Sequence, residues 1–256
     1  MNYKKMKDQA KKNLKGNYST LVLATLILFS IGAVCNFIGN VTDSMFLTYA
    51  LSLIADSLLA MGFVKMIVKV SNKKKAELAD LTSETDLFLK YMAISVIVFV
   101  IVGILILLAL IAFKSLCMVI ANMGAINLLL GTVLILCGLL LITLIIGVTV
   151  YMSIAFSQSL FILYEEKDLP ATKVLSKSFD MMDGYTLEYL ILTLTFIGWF
   201  VLCVVTLGIG YIFLAPYLLV VYANFYKVVK KDYKTAKGDK KPEKIFNDED
   251  TKAEEE

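Results

Sequence analysis

Long stretches of apolar residues, separated by polar connections, constrain most strongly how this chain can fold. A helix needs about 20 apolar residues to cross the roughly 30 Å hydrocarbon core of a bilayer. Hydrophobic residues make up 59% of the sequence and charged residues 18%, so the chain is more apolar than an ordinary soluble domain. The sequence therefore predicts an all-α, polytopic membrane domain over residues 19–230, with six transmembrane helices near residues 19–40, 45–70, 91–113, 126–150, 187–207 and 211–229.

The connections around the later spans differ greatly in length. The fourth apolar stretch continues to Tyr164, which is too long for a single crossing at 1.5 Å per residue. We expect the crossing near residues 126–150, and we expect residues 151–164 to bend or continue toward the cytoplasmic interface. Only residues 208–210 separate the last two spans, and Gly208 and Gly210 allow so tight a turn at little conformational cost.

Basic residues are distributed unevenly between the two sides of these spans. All 25 are lysines, and 24 of them lie before the first span, after the sixth, or in and beside the second-to-third and fourth-to-fifth connections. Only Lys114 falls in a connection on the opposite side. Because cytoplasmic connections carry the excess of basic residues, both termini are predicted to be cytoplasmic.

The N-terminal segment, residues 1–18, is basic and has helical periodicity. Tyr3, Met6, Ala10 and Leu14 fall on one face, with lysines around them. This pattern predicts a short helix on an anionic membrane surface, here the inner leaflet. A solvated basic tail that only sets the topology is an equally good interpretation.

Two further segments lie outside the predicted spans. Residues 168–184 predict a short cytoplasmic amphipathic helix, and residues 231–256, rich in lysine and then in acidic residues, predict a disordered charged tail. The apolar face of the amphipathic helix consists of Ala171, Leu175, Phe179 and Met182.

Asp56 and Pro216 are the candidate transport residues. An ionisable side chain near the middle of a span costs roughly 2.5–3.5 kcal/mol, so Asp56 indicates a functional site by default. The alternatives are a hydrogen bond to Ser52 or Ser57, or a shifted span that places Asp56 nearer the interface. Pro216 frees a backbone carbonyl and is expected to kink the sixth helix, which either shapes a cavity or gate or serves packing alone.

The sequence lacks the signatures of common enzymes. It contains no histidine, no phosphate-binding loop, no metalloprotease motif and no nucleophile elbow. Its four cysteines form no C-x-x-C pair, and its lysines follow the membrane topology instead of forming a nucleic-acid-binding face. We therefore expect no enzymatic activity, no cofactor, no metal and no nucleic-acid partner.

Several short motifs occur together in this chain, most densely in its last 90 or so residues. They are Leu14–Asn17, Gly62-Phe63, Gly198-Trp199, Gly208 with Gly210, Pro216-Tyr217 and Phe225-Tyr226. The sequence resembles the bacterial family catalogued as domain of unknown function 975, multi-span membrane proteins common in Gram-positive bacteria. That family is distantly similar to the membrane region of some glycerophosphodiester phosphodiesterases, but this chain has no room for their catalytic barrel. The resemblance implies a multi-pass protein of the bacterial cytoplasmic membrane.

Two functions from different classes fit these observations. The first is a non-enzymatic module that binds a membrane protein, peptide or lipid partner in an accessory, regulatory or immunity role. The alternative is a small transporter or channel that uses Asp56 and the Pro216 kink. An intramembrane lipid enzyme would need a converging set of polar groups, which the sequence does not show. The oligomeric state stays open.

Overall fold

The computed structural model describes residues 1–122 and 128–236, and every regular element in these ranges is helical. Two 3-10 turns, Leu78–Thr82 and Thr85–Leu87, lie in the connection before the fourth helix. The α-helices are α1 (Tyr3–Leu14), α2 (Tyr18–Val41), α3 (Met45–Ser71), α4 (Phe88–Ala121), α5 (Leu128–Ala155), α6 (Ser159–Glu165), α7 (Ala171–Met182), α8 (Thr186–Leu194), α9 (Ile197–Val205) and α10 (Ile209–Ala236).

Five helical segments in the described ranges are long and apolar enough to cross a membrane, and there are six if α8 and α9 count as one broken span. The prediction of an all-helical chain with several membrane-length segments is therefore confirmed. The expected continuous helix over residues 187–207 is instead two helices bent by 47°. The break falls at Thr195 and Phe196, where the buried Phe196 ring packs edge-on against Tyr217.

Four of the membrane-length helices form two antiparallel hairpins, α2 with α3 and α4 with α5. In the α2–α3 hairpin, Gly39 lies so close to Thr48 that a β-carbon on Gly39 would overlap its hydroxyl, which shows how tightly the two helices approach. Tyr18 and Ser71 consequently belong to the opposite end of this hairpin. In the α4–α5 hairpin, Gly138 faces Leu116, and both helices expose large apolar side chains over most of their length.

α1 packs inside the protein at the end of the α2–α3 hairpin that holds Tyr18 and Ser71. Met6 and Ala10 are only 2% and 0% exposed, and α1 contacts α10 and α3. The Asn13 side chain donates a hydrogen bond of 3.0 Å to the carbonyl of Ser71. The apolar face that was predicted to lie on the membrane surface is therefore covered by protein, because periodicity identifies an apolar face but not what covers it.

The predicted amphipathic segment, residues 168–184, contains the helix α7. Leu175 and Met182 of its predicted face are buried, whereas Ala171 and Phe179 are half-buried. α7 is fixed to the end of α5 because the Ser178 hydroxyl donates a 2.7 Å hydrogen bond to the carbonyl of Ala155.

The last helix extends beyond the predicted sixth span, residues 211–229. α10 continues to Ala236, so residues 231–236 of the predicted disordered tail are helical. The rest of that tail, residues 237–256, lies outside the described residues, as do residues 126 and 127 of the predicted fourth span.

Candidate ligand-binding cleft

A cleft of about 550 Å³ lies between α1, the start of α2, α9 and the first half of α10. Three of the candidate residues from the sequence, Trp199, Gly210 and Tyr217, form part of its wall. Most of the other lining side chains are apolar as well. The complete lining consists of Lys11, Leu14, Lys15, Tyr18, Trp199, Leu202, Cys203, Gly210, Phe213, Leu214 and Tyr217.

A tight glycine turn holds α9 against α10 on one side of the cleft. Gly208 adopts a φ of 89°, a backbone conformation that side chains other than glycine rarely accept, and its N–H donates a 2.8 Å hydrogen bond to the Cys203 carbonyl. A β-carbon on Gly210 would lie 2.8 Å from the Thr206 hydroxyl oxygen and 3.3 Å from the Cys203 backbone. Gly208 and Gly210 thus allow the close packing that builds this wall.

Pro216 lies inside α10, directly before the cleft residue Tyr217, and it is buried. Proline donates no backbone hydrogen bond, and its ring crowds the preceding helical turn. In that turn, the Phe213 carbonyl accepts a 2.9 Å hydrogen bond from the Tyr18 hydroxyl. This bond joins the start of α2 to the first half of α10, and both of its residues line the cleft.

α1 forms the opposite wall and is held in place along the α8–α9 segment. The Tyr3 hydroxyl donates a hydrogen bond to Glu188, which raises the pKa of Tyr3 to about 12. One turn later, the Lys7 ammonium lies 4.3 Å from the centre of the Phe196 ring. At the other edge of α1, the Asn224 side chain donates to the Met6 carbonyl at 3.3 Å.

Lys11 and Lys15 are the charged residues of the lining. Both are exposed, and in the described part of the chain neither ammonium group has a hydrogen-bond or ion-pair partner. The cleft therefore offers an apolar interior with two lysines along one wall that form no ion pair among the described residues. Such a site can hold an apolar chain and an attached anionic group.

The other candidate residues do not line this cleft. Phe225 is fully buried and packs edge-on against Tyr189, and Tyr226 stacks on Phe161, so both serve the packing of α10. The space around Gly198 is open, with no atom within 4 Å of where its β-carbon would lie.

Asp56 is an exposed residue on α3 and also lies apart from the cleft. The hydroxyl of Ser57, one proposed partner, instead donates a 2.5 Å hydrogen bond to the Leu53 carbonyl. Among the described residues Asp56 has no hydrogen-bond or ion-pair partner. Its role in transport stays a prediction.

A cluster of charged side chains, which sequence reasoning did not single out, lies beside the end of α3. Lys65 contacts Glu84 at 3.1 Å, and Lys69 contacts Asp80 at 2.5 Å. Lys167, from the connection between α6 and α7, also pairs with Glu84. The hydrogen bond to Glu84 raises the pKa of Lys167 above its usual value.

The two acidic members of this charged cluster come from a connection that packs tightly on α3. A β-carbon on Gly62 would lie 1.9 Å from the Leu81 carbonyl oxygen, so only glycine allows this approach. The sequence showed Gly62-Phe63 as a motif, but it did not indicate that the backbone of Leu81 packs against Gly62. Residues 1–122 and 128–236 hold no group of three histidine, cysteine or acidic side chains that could bind a metal ion.

Comparison with known proteins supports a family assignment. The chain matches no curated protein and no solved structure. The model of one family matches residues 1–233, a range that includes every residue lining the cleft. The chain therefore belongs to the family described as "Protein of unknown function (DUF975)", as the resemblance of its motifs predicted.

Proposed function

We propose that this protein is a non-enzymatic membrane protein that binds an anionic phospholipid in the cleft between α1, α9 and α10. The observation that carries the proposal is the placement of Lys11 and Lys15 on the wall of an otherwise apolar cleft of about 550 Å³. This volume lies within the roughly 300–1,000 Å³ of typical small-molecule sites, which are also mostly apolar with a few polar groups.

The chemistry of the lining favours a lipid over a peptide or a soluble metabolite. An acyl chain needs apolar contact and no hydrogen bonds, which Leu202, Phe213 and Leu214 supply. A phosphate headgroup needs positive charge at the edge of that apolar surface, and basic pockets between membrane helices bind anionic headgroups in this way. Trp199 is 54% exposed and marks a side of the cleft that an acyl chain can reach from the bilayer.

The proposal places the cleft on the cytoplasmic side of a bacterial plasma membrane. The lysine distribution supports this orientation, because Lys11 and Lys15 belong to the large basic group on one side of the spans. Both termini and α7 are then cytoplasmic. Lipid binding beside α1 suits an accessory or regulatory role, since α1 contacts α10 and α3 and can transmit occupancy to both.

Trp199 is the single tryptophan of the chain and lies in the wall of the cleft, so its fluorescence reports on lipid occupancy. The protein is placed in phosphatidylcholine nanodiscs that contain increasing fractions of brominated phosphatidylglycerol, whose bromines quench nearby tryptophan. Brominated phosphatidylcholine at the same fractions measures ordinary contact with bulk lipid. We expect stronger quenching by the anionic lipid at every fraction below saturation.

The lysines are tested by the paired substitution Lys11→Gln and Lys15→Gln. Each lysine near a membrane surface contributes about 1 kcal/mol to the attraction of anionic lipid, or about fivefold in affinity. The double variant should therefore lose most of the preference for phosphatidylglycerol. The matched control, Lys4→Gln with Lys12→Gln, removes the same charge from exposed positions outside the cleft and should keep it. Equal quenching by both lipids in the unmodified protein would contradict the proposal.

A further inference from the structure

The cleft brings together residues that a six-crossing topology separates. In that topology, Lys11 and Lys15 precede the first span, whereas Gly210 lies beyond the fifth, on the opposite side of the membrane. About 30 Å of hydrocarbon would lie between the two sides. In the structure these three residues line one cleft, so the turn between α9 and α10 does not lie a full membrane thickness away from α1.

The contacts of α10 lead to the same conclusion. Tyr18 and Ser71 lie at the same end of the α2–α3 hairpin, and both bond to α10. Tyr18 donates to the Phe213 carbonyl at 2.9 Å, and the Lys227 ammonium donates to the Ser71 carbonyl at 2.6 Å. Phe213 and Lys227 are 14 residues apart, or about 21 Å along a helix. α10 therefore lies across this end of the hairpin instead of running alongside it.

The tip where α9 turns into α10 is apolar and extends away from the protein. Leu207 is 92% exposed, and Val204 and Val205 are 76% and 73% exposed. No charged residue occurs between Glu188 and Lys227. A tip of this composition is incompatible with water as its surroundings, because it would expose a contiguous apolar surface.

The backbone N–H groups in the turn of the tip are bonded within the protein, and hydrocarbon makes an unbonded N–H costly. The N–H of Leu207 donates to the Val204 carbonyl at 3.0 Å, and that of Gly208 donates to the Cys203 carbonyl at 2.8 Å. The N–H of Gly210 donates to the Thr206 hydroxyl at 3.0 Å. These N–H groups therefore need no water when the turn lies within lipid.

We infer that the α9–α10 tip, residues 204–209, is a re-entrant membrane-inserting surface that contacts the acyl chains of the leaflet on the α1 side. The chain then crosses the membrane fully at α2, α3, α4 and α5. The α8–α9 segment and α10 enter and leave on the side that holds both termini. This inference concerns where the tip lies and does not depend on lipid occupying the cleft.

Thiol accessibility tests the inference in intact cells and in inverted vesicles. Leu207→Cys and, separately, Lys114→Cys are introduced after Cys35, Cys117, Cys137 and Cys203 are replaced by serine. Lys114 lies far along α4 and marks the side opposite the termini. A membrane-impermeant maleimide should label the cysteine at position 114 from one side, whereas the cysteine at position 207 should react only after the membrane is dissolved in detergent.

Two outcomes would overturn the inference. The first is labelling at position 207 from the side at which position 114 reacts, as six crossings require. The second is free labelling from the opposite side, which would place the tip in water. Ile209→Cys, at a position that is also exposed, repeats the measurement if the first variant fails to accumulate. The re-entrant arrangement requires at least a tenfold loss of labelling relative to position 114 at both sites.

Discussion

Gly62 determines where the connection between α3 and α4 can lie. An added β-carbon would meet the Leu81 carbonyl oxygen at 1.9 Å, and a backbone atom cannot move aside as a flexible side chain can. We expect Gly62→Ala to reduce the free energy of unfolding by about 1–3 kcal/mol, the usual effect of overpacking. Melting of the purified protein in detergent measures this change.

Gly103→Ala is the matched control for this effect. Gly103 also lies inside a long helix, but no atom lies within 4 Å of the position that its β-carbon would occupy. Alanine favours a helix by roughly 0.5–1 kcal/mol over glycine, so this variant should melt at the same or a slightly higher temperature. Equal destabilisation by both substitutions would show that loss of glycine, not the contact with Leu81, causes the effect.

Residues of the candidate site were predictable from the sequence where they belonged to a recognisable motif. Trp199, Gly210 and Tyr217 were candidates and do line the cleft. Lys11 and Lys15 were not among the candidates, because the membrane topology alone accounts for lysines that precede a span. Their contribution to the cleft depends on a fold that brings them beside residues almost 200 positions away, and no local pattern indicates such a contact.

At the scale of whole elements, α1 should depend on its buried face. Met6 is 2% exposed and packs into the core, and truncation of a buried methionine to alanine typically costs about 2–5 kcal/mol. We expect Met6→Ala to release α1 locally, so that amide hydrogen exchange over residues 3–14 becomes faster. Lys12→Ala, at an exposed position of the same helix, should leave exchange almost unchanged. Protection that is equal in both variants would mean that α1 is held by its hydrogen bonds alone.

The existence of most helices followed from apolar length, but their breaks did not. Residues 187–207 are almost uniformly apolar, and in such a stretch neither hydropathy nor periodicity distinguishes one continuous helix from two. The bend at Phe196 accompanies contacts with Tyr217 and Lys7, which come from distant elements. In the same way, the periodicity of α1 was visible in the sequence, whereas its burial against α10 was not.

At the scale of the whole molecule, the charged cluster around Glu84 connects the two helical hairpins. Glu84 lies before α4, Lys65 belongs to α3, and Lys167 follows the α5–α6 segment. The sequence showed that lysines gather on one side of the spans, but not that acidic residues in one connection pair with them. These pairs join segments that are as many as 83 positions apart, a distance at which spacing carries no information.

Removing the charge of Glu84 should therefore weaken the association of the two hairpins. Glu84 is 7% exposed, and Glu84→Gln leaves Lys65 and Lys167 without their shared anion, which we expect to cost roughly 1–3 kcal/mol. Since a change of 1 kcal/mol shifts the melting temperature of a chain this size by about 2–4 °C, thermal unfolding in detergent resolves it. Lys167 and Lys65 lower the pKa of Glu84 despite its burial, and the hydrogen bond to Glu84 raises the pKa of Lys167. This contribution to stability is therefore present at neutral pH, and it is lost as the pH falls through the lowered pKa of Glu84 or rises through the raised pKa of Lys167.

Asp180→Asn is the control for the Glu84 substitution, because it removes one negative charge from an exposed position outside the charged cluster. It should leave the melting temperature within about 1 °C of the unmodified protein, since surface substitutions usually change stability by less than about 0.5 kcal/mol. High salt should reduce the difference between the two variants only slightly, because Glu84 is buried and poorly screened. If salt abolished the difference, the cluster would be acting as ordinary surface charge, and the hairpins would be held together by apolar packing alone.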